Sequence, residues 1–187
     1  MDREIGFTLV ELLITIVVVS ILLAMGAPAF KDFIKNNRVT AQTNDLVSAI
    51  QLARSEALKR GTNAVVCASS DQSTCTGKDT WAEGWIVFSD YDPTDGDDPV
   101  FKTTNCDEGE NDCIMMTRER LSEGTTLTTV PGNDMVRFLP TGLANNDVGG
   151  IKTVAFTLES RDCEKNQART ITVTPQGHTL VATAACS

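Results

Sequence analysis

One histidine, one tyrosine and two tryptophans are all that 187 residues hold of those types, and the scarcity narrows the chemistry at once. His178 has no Ser or Cys beside it in a motif that would make a nucleophile, and neither a P-loop nor a G-x-S-x-G elbow occurs. No two cysteines stand as CxxC, so a zinc site of ordinary spacing is not expected either. Basic residues are also short: 16 Lys and Arg face 25 Asp and Glu, a formal net charge of −9. That is the wrong sign for a surface that attracts phosphate backbones. Neither an enzyme nor a cofactor carrier is expected.

What is present is organised. From Leu12 to Phe30 no side chain carries charge, and a helix of that length reaches about 28 Å, close to a bilayer's hydrocarbon thickness. Glu11 opens this run, where a cleavable secretory signal would place no charge. The flank MDREIG holds one Arg against two acids, although Ala27-Pro28-Ala29 loosely imitates a cleavage site and keeps ordinary cleavage as the alternative. All six cysteines, at 67, 75, 106, 113, 163 and 186, lie beyond the run. An even count there indicates disulfides formed outside the cytoplasm. Many connectivities are open; the expected one is local, Cys67 with Cys75, Cys106 with Cys113, and Cys163 with Cys186, each closing a loop between strands.

Beyond Phe30, apolar residues at Phe33, Ile34, Leu46, Val47, Ile50, Ala53, Ala57 and Leu58 keep helical spacing with polar faces between them. Lys59, Arg60 and Gly61 make a helix stop. Residues 8 to 60 therefore read as one helix of about 80 Å, bending near Gly26 and Pro28 because proline lacks a backbone donor. After Gly61 eight short runs rich in Val, Ile, Thr and aromatics follow: NAVVCA, GWIVFS, IMMTRERL, TTLTTV, MVRFL, KTVAFTLES, ARTITVT and HTLVATA. They predict an antiparallel sheet packed on the amphipathic half-helix. The fold class is α+β, a long helix with its first half embedded and its second half the core of a β-rich head.

Gly6-Phe7-Thr8-Leu9-Val10-Glu11 and the apolar run resemble the class III signal of type IV pilins and pseudopilins. The resemblance implies that a prepilin peptidase cuts between Gly6 and Phe7 and that Phe7 is then N-methylated. The apolar segment stays on the mature protein, and Pro28 matches the family's helix-bending proline. It also implies a partner for Glu11: the amino terminus of a neighbouring subunit, met only in the growing filament. A carboxylate in lipid is costly until paired, so pairing would favour assembly and set register. The bland alternative is a carboxylate snorkelling at the interface.

Further on, ARSEALKRG, NAVVC, TWAEGWIVFSDYD and MVRFLPTG resemble the GspH/FimT family of minor pilins, nearer its FimU-like type IV pilus members than the type II secretion pseudopilin. The implied organisation is a cleaved leader at 1–6, a transmembrane assembly half-helix at 7–30, an amphipathic half-helix at 31–61 and the head at 62–187. Implied partners are other minor pilins, the major pilin, the prepilin peptidase and an inner-membrane assembly platform, with inner-membrane lipid around the helix before assembly. The head would be periplasmic and, after assembly, extracellular in the pilus. The implied role is priming or capping a type IV pilus; the alternatives are DNA uptake and type II secretion.

DNA binding is disfavoured. Some members of the family bind double-stranded DNA through a GRxR-type motif in the C-terminal hairpin, where this chain has Pro175-Gln176-Gly177-His178-Thr179-Leu180. Both arginines are missing, and His178 is no guanidinium fork. Arg161, Lys165 and Arg169 form the nearest candidate patch. In DYDPTDGDDP, Asp92, Asp95 and Asp97 are candidate calcium ligands, but the glycine is misplaced for an EF-hand and no bidentate Glu follows, so a solvated turn is expected. Trp81 and Trp85 read as core, with Trp85 and Val87 on one strand face and Ile86 and Phe88 on the other.

Overall fold

A computed structural model describes residues 7–91, 112–129, 133–145 and 153–186, without the side chains of 26–29. Helix α1 (Leu9–Arg60) runs through Pro28 without interruption, and among the described residues eight strands follow: β1 (Asn63–Ala68), β2 (Trp85–Asp90), β3 (Cys113–Arg118), β4 (Thr125–Thr129), β5 (Met135–Phe138), β6 (Val154–Ser160), β7 (Ala168–Val173) and β8 (Thr179–Ala184). The expected bend at Pro28 falls on residues whose side chains are not described. The chain divides into two compact units, residues 1–38 and 39–187.

In the second unit every predicted strand forms, but not as one sheet. There are two four-stranded antiparallel sheets, ordered β3-β2-β1-β5 and β4-β6-β7-β8. The reason is visible in the burial. One face of each sheet turns towards α1, and a single core gathers Leu46, Ile50, Ala53 and Ala57 of the helix, Val66, Trp85, Val87 and Phe138 of the first sheet, and Phe156, Leu158 and Ile171 of the second. One flat sheet would cover only one side of that stripe. Small residues at Ala49, Ala53 and Ala57, all fully buried, leave room for close approach.

Burial along the helix stripe begins at Val39, although its apolar periodicity starts earlier, and Leu58 near the helix end is again exposed. Phe33 and Ile34 remain 61% and 44% exposed, whereas Val39 is 2% and Leu46 0% exposed.

Trp85 and Val87 do face the helix, while Ile86 and Phe88 join Val65 and Cys67 in a smaller cluster on the outer face. A short 3-10 turn at Trp81–Glu83, which periodicity missed, seats Trp81 against Phe156 edge-on, with centroids 4.9 Å apart. Its indole N–H donates to the Asn133 carbonyl at 3.0 Å. Gly84 ends that turn at φ +123°, and a Cβ there would come within 2.3 Å of the Arg118 carbonyl oxygen.

Two of the expected disulfides are present, Cys67–Cys75 and Cys163–Cys186. Cys113 is also disulfide-bonded, and its expected partner Cys106 lies outside the described residues. Asp92, Asp95 and Asp97 lie outside them too.

Candidate assembly surface

The first unit begins with a capped helix. Thr8 precedes the first helical residue, and its Oγ1 accepts from the Glu11 backbone N–H at 3.2 Å. T-x-x-E is a capping-box pattern, in which the Glu side chain would reach back to the cap's own N–H. That return bond is absent: the Glu11 carboxylate has no hydrogen bond or ion pair among the described residues. Its charge suits the positive end of the helix dipole, yet most of its bonding capacity is unspent.

Around it the surface is apolar and open. From Phe7 to Met25 the large hydrophobic side chains are between 49% and 75% exposed. The two hydroxyls in the run are satisfied inside the helix, Thr15 by the Leu12 carbonyl and Ser20 by the Val17 carbonyl, each at 2.8 Å. Such internal satisfaction is what a helix in hydrocarbon requires. By length and composition this segment is long and apolar enough to cross a membrane.

The head is fastened to its part of α1 by polar contacts at several levels. Gln42 donates to Ser122 Oγ at 2.5 Å, and Asp45 pairs with Arg118 at 2.7 Å. Arg54 donates to the carbonyls of Gly142 and Gln176 at 3.2 and 3.1 Å, holding two loops at once. Sequence reasoning missed Arg54; its only signal is a cation one position past the buried Ala53. At the helix end Glu56 bonds Arg60 at 2.6 Å and Lys59 at 3.4 Å. The Arg60 hydrogen bond leads in holding the Glu56 carboxyl below its ordinary value.

The loop closed by Cys67–Cys75 is organised by Asp71, whose carboxylate accepts from the Ser73 and Thr74 backbone N–H groups, the Thr74 hydroxyl and the Ser69 hydroxyl. Those bonds, the Ser73 N–H first, hold its carboxyl well below the usual carboxylate range.

The three candidate DNA contacts fall in different settings. Arg161 lines a depression shared with Glu83, Arg120 and Glu123, where two glutamates balance two arginines. Lys165 sits in a turn, exposed, at φ +57°. Arg169 is half-buried and donates to the Gln167 and Ala168 carbonyls. Among the described residues no group of three or more His, Cys, Asp or Glu is placed to hold a metal ion.

The sequence pattern of the family described as "Type II transport protein GspH" matches residues 42–177, which is most of the chain. The chain belongs to the GspH family. The "Prokaryotic N-terminal methylation motif" matches residues 1–27, and with the apolar helix it fits a membrane-anchored pilin. Among solved structures, the type IV minor pilin FimU of Pseudomonas aeruginosa superposes with a TM-score of 0.55 at 14% identity, over 80% of this chain and 92% of that one, a likeness of fold. A "Fimbrial protein" of Pseudomonas aeruginosa is 34% identical over 51% of this chain and 56% of its own length. The "Type IV major alpha-pilin" of Moraxella bovis is 34% identical over 39% of this chain and 45% of its own. The chain thus spans about half the length of the curated relatives it matches. This GspH-family member has the pilin-like fold its sequence predicts, a long helix packed on antiparallel sheets.

Proposed function

We propose that this protein is a minor pilin that assembles with other minor pilins and the major pilin to prime or cap a type IV pilus. The observation that carries the reading is the division within α1. Its first half presents an exposed apolar surface and a carboxylate with no partner among the described residues, while its second half is consumed by the head. A surface of that kind is satisfied by lipid before assembly and by neighbouring helices after it.

In this reading prepilin peptidase cleaves between Gly6 and Phe7 and methylates Phe7. The inner membrane holds the helix with the head in the periplasm until the assembly platform draws the subunit into the filament. Glu11 pairs there with the neighbour's amino terminus, and Pro28 supplies the bend. The role is structural rather than catalytic.

A second reading, a pseudopilin of type II secretion, is supported by the family description itself. DNA uptake ranks lower, because the depression that holds Arg161 has as many glutamates as arginines and the hairpin turn at Gln176–His178 lacks arginine.

The deciding experiment is a deletion strain of the native host, scored for sheared surface pili, type II secretion and transformation on the same cultures. Loss of pili is the expected result. Normal pili with failed secretion would make the protein a pseudopilin, and normal pili with lost transformation would restore the DNA reading.

A further inference from the structure

Among the described residues, strand β8 is the outermost strand of its sheet, pairing with β7 and leaving its other edge open. Open edges are normally guarded by charge, proline, a bulge or shortness, because unpaired backbone groups recruit other strands. TLVATA has none of these guards. The opposite edge, β4, has five residues and turns its one large apolar side chain, Leu127, inward at 3% exposure. On β8 both Leu180 and Val181 are exposed, at 59% and 50%. Val181 pairs with the fully buried Ile171 and so stands on the core-facing side of the sheet, where nothing among the described residues covers it.

The ladder also says which backbone groups are free. Thr174 N–H donates to the His178 carbonyl, so the antiparallel alternation turns the polar groups of Leu180 and Ala182 towards β7. Those of Thr179, Val181 and Thr183 point out of the open edge. Beside that edge lies a groove of about 430 Å³, with Gln51, Arg54, Ser55 and Leu58 of α1 on one wall and Gly177 to Leu180 on the other. Its lining contains no carboxylate, and among the described residues its arginine, Arg54, is bonded only to the two neutral carbonyls. Three of the five guanidinium N–H donors remain unused. Leu58 and Leu180 flank them with apolar surface.

We infer that this groove receives an extended, carboxylate-bearing segment of a neighbouring pilin subunit. Its backbone pairs with the outward groups of β8, its apolar side chains cover Leu180, Val181 and Leu58, and its carboxylate meets Arg54. Strand addition supplies affinity through main-chain bonds, and the guanidinium supplies selection for an acid. The inference rests on the pilin reading for the identity of the neighbour; charge complementarity and the unguarded edge supply the chemistry.

The test places a photo-crosslinking amino acid at Leu180 of the full chain, expressed in the native host, and sequences the crosslinked peptide from the sheared filament fraction and from membranes. The expected product joins this chain to an Asp- or Glu-containing segment of another pilin subunit. Three substitutions, each made singly, should reduce its yield about tenfold. Arg54→Gln removes the cation. Gln51→Glu keeps the Arg54 bonds to the loops but supplies an internal carboxylate three residues before it. Val181→Pro deletes one outward N–H. Gel-shift alkylation showing Cys163 and Cys186 still oxidised identifies the variants whose hairpin is intact.

Crosslinks to DNA, to lipid or to this chain's own residues would overturn the inference, as would a pilin crosslink indifferent to Gln51→Glu and Val181→Pro. The pilin reading fails separately, if the unsubstituted chain is missing from sheared filaments.

Discussion

The two halves of α1 are built from the same kinds of apolar residue and meet opposite fates. Leu13, Ile16 and Leu22 are more than half exposed, whereas Leu46 and Ile50 are fully buried between two sheets. Hydrophobicity alone therefore does not tell where a side chain finds its partner. In the second half the chain supplies its own cover; in the first half no described residue covers the apolar side chains. Stability of the head and the assembly proposed for the first half are accordingly separable, and substitutions can be chosen to strike one without the other.

The sharpest division is between Leu46→Ala and Leu13→Ala. Truncating Leu46 leaves a cavity in the core and should cost the head about 3 kcal/mol in urea unfolding of the detergent-solubilised chain, followed through Trp81 and Trp85. Leu13→Ala should change the same transition by less than about 0.5 kcal/mol. Equal effects would break the comparison.

Removing the Cys163–Cys186 bridge by paired serine substitution should cost about 3 kcal/mol, slightly more than removing Cys67–Cys75, because the loop it closes spans 23 positions rather than 8. Unfolding midpoints of the two double variants test the order.

Glu11→Ala should leave head unfolding unchanged but lower incorporation into sheared filaments about tenfold, the penalty of an assembly step without its ion pair. Thr8→Ala is the control that sharpens this. It removes the helix cap, worth about 1 kcal/mol, without touching the carboxylate. If Thr8→Ala and Glu11→Ala behave alike, Glu11 acts through the helix start and not through a neighbour.

The smallest effect belongs to Asp71→Asn, at most about 1 kcal/mol at neutral pH because the carboxylate is exposed and its bonds compete with water. The sign of its pH dependence is fixed. The folded carboxyl titrates below its ordinary value of 3.8, so its stabilisation is complete above that pH and is lost as pH falls through the folded value. The gap between wild type and Asp71→Asn should therefore be constant from pH 5 to 7 and close in stronger acid, as read by unfolding midpoints.

Much of this was legible in the residues. All eight strands coincide with Val-, Ile- and Thr-rich runs, because each local pattern is set by neighbours in sequence. The split into two sheets was not legible. It depends on β5 pairing with β1 across more than sixty residues, and on β4 skipping β5 to meet β6, choices that periodicity does not carry. The stripe from Phe30 to Leu58 shows the same limit: spacing located the face, but only the position of the strands decides that cover begins at Val39. The Glu11 motif was legible because its oddity is local. Arg54 was not, because its two acceptors, Gly142 and Gln176, lie 88 and 122 positions away.

The bridge between Cys163 and Cys186 also acts as a clock. Cys186 follows the last strand, and its backbone N–H donates to the Lys165 carbonyl only when β8 has aligned on β7. The native pairing of these two sulfurs therefore follows the formation of the β7–β8 hairpin. Oxidation at this pair is thus a mark that the β7–β8 hairpin has closed, and a population with free Cys186 thiols is a population caught before β8 has docked.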